Sequence, residues 1–126
     1  MKQEEFRQAV KTRIGVVHND QADEIIGAVL STLSARISDE EAQHLAAQLP
    51  EPYKTVVRTE NRQETFDLEE FFARIAGELR LGRGPATRYA QAVLDVLNEA
   101  VTTGELQDVM AQLPDEFGVL FENSVG

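Results

Sequence analysis

Cysteine and tryptophan are absent from this chain of 126 residues, and proline, tyrosine, histidine and methionine are scarce. Without cysteine there is no disulfide and no thiolate metal site, which fits a reducing cytosol. No apolar run approaches the roughly 20 residues that a membrane-spanning helix needs. Alternating apolar and polar residues are also missing, and the β-branched residues fall on three- and four-residue spacings, so strands are not expected. Positive charge is the other shortage. Twelve lysines and arginines face 22 aspartates and glutamates, a net charge of −10. From residue 65 onward the only basic residues are Arg74, Arg80, Arg83 and Arg88. Such a field repels phosphate backbones and anionic lipid, so neither nucleic acid nor membrane is an expected partner. The four arginines are expected to balance nearby acids and a helix C-terminus rather than to bind an anion.

What the sequence does have is a duplication. Ala47-Gln48-Leu49-Pro50 recurs as Ala111-Gln112-Leu113-Pro114, and a shift of 64 extends the match. Ala22 falls on Ala86, Ala28-Val29-Leu30 on Ala92-Val93-Leu94, Leu33 on Leu97 and Glu41 on Glu105. Ser38 meets Thr102, Leu45 meets Val109, Tyr53 meets Phe117 and Val56 meets Leu120. The first helix joins at a shift of 65, where Phe6, Val10 and Ile14 land on Phe71, Ile75 and Leu79. Order, spacing and chemical type recur together, which is the mark of an internal repeat.

Helical spacing then places the elements. Phe6, Ala9, Val10 and Ile14 define a helix over residues 3–14, closed by Gly15. Asp20 is the expected N-cap of a second helix with a broad apolar stripe from Ala22 to Ile37; its counterpart is expected to open at Gly84-Pro85, with proline in the first position. Ser38-Asp39-Glu40-Glu41 and Thr102-Thr103-Gly104-Glu105 both read as capping boxes, a role that accounts for Glu41 and Glu105 without catalysis. Pro50 ends the third helix, and a short turn carries Tyr53, Val56 and Val57. The stretch 58–65 has no apolar residue and reads as a linker. Asp67 then caps a further helix with Glu70 closing the box and Phe66 stapled to Phe71; it is expected to run to about Leu81 before a turn at Gly82-Arg83-Gly84. Phe117, Leu120 and Phe121 form the last docked turn, ahead of a frayed tail over 122–126.

The fold expected is therefore all-α. It is a compact helical bundle in one domain, 1–126, built of two pseudo-symmetric repeats of three to four helices, 1–57 and 66–121, joined by the linker 58–65. Each repeat alone is too short to bury a sufficient core, so the Ala28-Val29-Leu30 and Ala92-Val93-Leu94 helices are expected to pack on each other near a pseudo-two-fold axis.

Chemistry is thinly marked. Glu41-Ala42-Gln43-His44 has the Glu-x-x-His spacing that puts two ligands on one helical face. A complete di-metal site needs a second such motif, but the position matching His44 is Asp108, and Glu41 is expected in its capping box; no metal and no cofactor are expected. His18 lies in a polar loop. Gly82-Arg83-Gly84-Pro85 lacks the Gly-Lys-Ser/Thr ending of a phosphate loop. Serines 31, 34, 38 and 124 sit in no nucleophile-elbow context, so no catalytic residue is expected. The polar pair that stands out is Gln48 and Gln112, each just before Leu-Pro. A duplicated glutamine there caps or bridges backbone groups at the turn, or lines a cleft between the repeats.

The order of a Phe-containing first helix, an Ala-Val-Leu helix, a Glu-started third helix and Ala-Gln-Leu-Pro, all given twice, resembles the prokaryotic family catalogued as domain of unknown function 2267. Its most specific parts are the twin Ala-Gln-Leu-Pro and Phe66-Asp67-Leu68-Glu69-Glu70-Phe71, and the likeness runs from about Phe6 to Phe121. It implies a small helical bacterial or archaeal protein and brings no established activity or catalytic residue. The function expected from these features is a non-enzymatic helical module that binds another protein, another copy of itself included, as a monomer or weak dimer. The rival is a small-molecule binder or enzyme with a site between the repeats. The start, Met1-Lys2-Gln3-Glu4-Glu5-Phe6, reads as an amphipathic helix rather than a signal segment, so the expected location is the cytoplasm.

Overall fold

The computed structural model describes residues 1–59 and 63–125, with side chains to residue 121. Seven α-helices are present among them: α1 (Gln3–Ile14), α2 (Asn19–Ser34), α3 (Asp39–Ala47), α4 (Tyr53–Thr59), α5 (Leu68–Leu79), α6 (Arg83–Ala100) and α7 (Thr103–Ala111). A 3-10 helix, Asp115–Val125, closes the chain. No strand occurs among the described residues. The fold is all-α. No helix of the described residues is long and apolar enough to cross a membrane.

The ends of the helices follow from local chemistry. Gly15 takes the left-handed conformation, φ 74°, and its N–H bonds back to the Lys11 carbonyl, which satisfies an end group that a residue with Cβ would reach only at a cost of about 1–2 kcal/mol. α2 departs from expectation at its start. His18, not Asp20, occupies the N-cap and supplies no side-chain bond, while Asp20 sits in the first turn, where its charge faces the positive end of the helix dipole. α5 stops at Leu79, two residues short of the expected end, because Arg80 adopts the left-handed conformation, φ 56°, and the Leu81 N–H bonds back to the Ala76 carbonyl. α6 begins at Arg83 with Gly82 as N-cap, so Pro85 is the third helical residue rather than the first; the first turn tolerates it because N–H groups there have no intrahelical partner. The polar stretch 58–65 starts inside α4, and its residues 60–62 lie outside the described ones, as does Gly126 of the tail. The 3-10 helix buries Phe117, Leu120 and Phe121.

One cluster of buried side chains draws on all seven α-helices and on the 3-10 helix. Leu33 and Leu97, the matched leucines of α2 and α6, are both fully inaccessible to solvent. α2 and α6 touch, but the larger contacts are made elsewhere: α1 packs on α6, and α5 on both α2 and α6. The first helix of each half therefore lies against the long helix of the other. Phe6 stacks obliquely on Tyr53 with centroids 5.1 Å apart, and Phe71 meets Phe117 edge-on at 5.6 Å. Arg36, just after α2, donates to the Phe66 carbonyl at 2.8 Å and lies over both the Phe66 and Phe117 rings. Arg74 covers the same Phe66 ring at 4.0 Å. The Phe66 ring thus packs against guanidinium planes of both halves.

Candidate functional site at the α3 and α7 junction

Every α-helix begins with amide groups that have no partner inside the helix. At α3 the Ser38 hydroxyl accepts from the Glu41 amide at 3.1 Å, and at α7 the Thr102 hydroxyl accepts from the Glu105 amide at 3.2 Å. A complete capping box would have the glutamate side chain return the favour to the N-cap amide. Neither glutamate does so. The Ser38 amide donates instead to Oε1 of Gln112 at 2.7 Å, and the Thr102 amide to Oε1 of Gln48 at 2.8 Å. Gln48 Nε2 also donates to the Thr102 hydroxyl at 3.3 Å. Gln48 and Gln112 are the C-cap residues of α3 and α7, so the residue that caps the end of each helix also binds the N-cap amide of the other. The expected boxes are half formed, and the missing half comes from a residue 54 or 74 positions away.

Released from capping, the two glutamates turn toward each other. Glu41 and Glu105 are each only 7% exposed. As carboxylates, Oε2 of both has no hydrogen-bond donor. One oxygen of each, together with a ring nitrogen of His44, lies within 4.8 Å of the others. His44 Nδ1 is 3.9 Å from Glu41 Oε2, and its ring is largely in solvent. Burial, the adjoining Glu41 carboxyl and the charge of Asp108 push the Glu105 carboxyl up to about 8. A proton held there turns Glu105 into a donor toward Glu41. Among the described residues these are the two side chains whose buried oxygens lack a partner, and they belong to matched positions of the two halves. Sequence reasoning gave both to the capping boxes. The available signal was their match at 64 residues, since equivalent positions on two helices that pack together are placed to meet.

Residues 3–120 match the model of the family described as an uncharacterized conserved protein, DUF2267. The chain belongs to the DUF2267 family. That description assigns no activity, and no curated protein matches the chain.

Several other polar groups of this DUF2267 protein are engaged with one another. Tyr53 donates to Asp23 at 2.6 Å, and Arg7 grips the same carboxylate with two bonds of 3.0 and 2.8 Å. Burial alone would raise the Asp23 carboxyl, but the bonds from Arg7 and Tyr53 outweigh it and hold it below the usual range. Burial and the bond to Asp23 push the Tyr53 hydroxyl up, so it stays a donor. This cluster ties α1, α2 and α4 together. Ser34 donates to the Val57 carbonyl at 2.6 Å, Ser31 to that of Ala28, and Ser38 is the N-cap of α3; Ser124 lies outside the described side chains. Arg74 pairs with Glu70 and Glu64, and Arg83 lies near Glu69. A cavity of about 120 Å³ between α7 and the 3-10 helix is lined by Met110, Leu113, Asp115, Phe117 and Phe121.

Proposed function

We propose that the protein acts by binding another protein, as a rigid module of two helical repeats, rather than by turning over a small molecule. The observation that carries this reading is the use made of Gln48 and Gln112. A ligand site between the repeats would draw on these side chains, but both are already bonded to the cap amides of the opposite helix. What that exchange supports is a fixed junction between α3 and α7, and hence a body that presents its outer helix faces as one surface. The rival, a small-molecule site, has less support: the cavity beside Phe117 holds about 120 Å³, below the roughly 300–1,000 Å³ of ordinary ligand pockets, and the larger hollows, about 530 Å³ beside Arg88 and about 390 Å³ beside Ser31, lie open to solvent.

In this reading the repeats 1–57 and 66–121 form one domain and are related by a pseudo-two-fold axis near Glu41 and Glu105. The place of action is the prokaryotic cytoplasm, and the chain is a monomer or weak dimer. With a net charge of −10, the partner surface most favoured is a basic one. Cross-linking in the native cell, followed by purification and identification of what is attached, tests the proposal. A protein held at a fixed ratio, or reversible self-association seen by light scattering, supports it. A stoichiometric small molecule with no attached protein overturns it.

A further inference from the structure

Two carboxylates that bury oxygens against each other need a compensating positive charge, and among the described residues no lysine or arginine lies on α3 or α7 to supply it. Arg7, Arg36, Arg74 and Arg83 are engaged at other acids, aromatic rings or carbonyls, and the one basic residue within α3 and α7 is His44. A proton on one carboxyl is one solution. The donor set offers another, because it combines two carboxylates on different helices with an imidazole one helical turn from the first of them.

We propose that Glu41, His44 and Glu105 form a binding site for a divalent transition-metal cation, of which zinc is the type, spanning α3 and α7. An imidazole beside two carboxylates suits zinc, manganese or ferrous iron, whereas magnesium and calcium prefer oxygen donors alone. Metal–ligand bonds of about 2.0–2.2 Å place neighbouring donors roughly 3–3.5 Å apart. The three donor atoms here lie within 4.8 Å of one another, so contraction of about 1–2 Å closes the set. The mobile member is at hand: the His44 side chain is 56% exposed and is free to swing toward the buried pair. The two glutamates are fixed by contrast, since each is the third residue of a helix whose cap is locked by a glutamine from the other. Three protein donors leave a fourth position on the His44 side open to water. Asp108, one turn beyond Glu105, adds negative charge beside the site without being needed as a ligand.

The site also explains why a buried pair of like charges sits where α3 meets α7. A cation there joins a residue before the linker to one after it, and its occupancy is read as stability of the whole chain.

The test uses the full untagged chain, stripped with a chelator and then titrated with zinc, with cobalt as a spectroscopic probe and magnesium as a control. The expected result is one zinc per chain by calorimetry, a rise in Tm of several degrees, visible absorption from bound cobalt, and no response to magnesium. Glu105→Gln keeps shape and removes a ligand charge; His44→Ala removes the exposed ligand, and each variant is scored by its zinc-dependent shift from its own metal-free Tm. Each variant should weaken zinc by at least about tenfold. The proposal is overturned if stripped protein shows neither a zinc-dependent Tm nor stoichiometric uptake. It is equally overturned if both variants bind zinc as the parent does, which would mean scattered surface acids, or if Glu105→Gln raises Tm while parent and variant alike ignore zinc, which would mean a shared proton only.

Discussion

Gln112 accepts a hydrogen bond from the backbone amide of Ser38, 74 residues earlier, at 2.7 Å. The bond is partly buried, so water is poorly placed to replace it. Gln112→Ala should therefore cost about 1–3 kcal/mol, the penalty of leaving a shielded amide unpaired. Gln48→Ala should cost less, because its bond to Thr102 lies at the surface. Urea denaturation of both variants checks the order. Equal, negligible losses would mean the glutamines do not hold the junction.

Asp23 gives a pH dependence with a definite sign. Its carboxyl is held below its ordinary 3.8 in the folded protein, so its contribution is complete above that value and is lost as pH falls through the lower folded value. Asp23→Asn should cost about 1–3 kcal/mol at neutral pH, since hydrogen bonds to a charged group are the stronger kind. The gap between parent and variant should close below about pH 4. Melting both proteins across that range measures it; a gap that widened toward low pH would contradict the assignment.

Leu33 and Leu97 test whether the two halves share one core. Both are fully buried in the same cluster, and either change to alanine should cost about 2–5 kcal/mol. The whole chain should still unfold in a single transition. Fragments 1–64 and 65–126 made separately should lack independent, sharp melting, because α1 and α5 each pack on the long helix of the other half. Two sharp transitions from non-associating fragments would refute the shared core.

Arg80 offers a change in the opposite direction. It closes α5 at φ 56°, a conformation that glycine reaches without steric cost, and its side chain is exposed. Arg80→Gly should raise stability by up to about 1 kcal/mol, visible as a small increase in Tm. A fall would mean that the Arg80 side chain contributes more than its backbone strain removes.

Much of the fold could be read from the residues. Phe6, Val10 and Ile14 at helical spacing mark α1 to its last residue, and Ser38, Asp67 and Thr102 mark three helix starts, because local chemistry decides those positions. Boundaries set by backbone alone were less legible: the stop at Arg80 needs a non-glycine residue in the left-handed region, which nothing in its side chain announces. The junction was harder still. The Glu at the third position of a helix normally closes its own box, and only the approach of α7 to α3 lets Gln112 and Gln48 take that place and frees Glu41 and Glu105 to meet. A long-range exchange of this kind leaves no trace in local spacing.

The same exchange bears on the order in which the protein is made. A ribosome releases Ser38 long before Gln112, so the first half emerges with one cap amide waiting for a partner that is still untranslated. α3 can then reach its finished state only once nearly the whole chain is free, and the nascent first half should remain open to proteases until α7 arrives. Digesting chains stalled before and after Gln112 would show whether protection of α3 appears at that step.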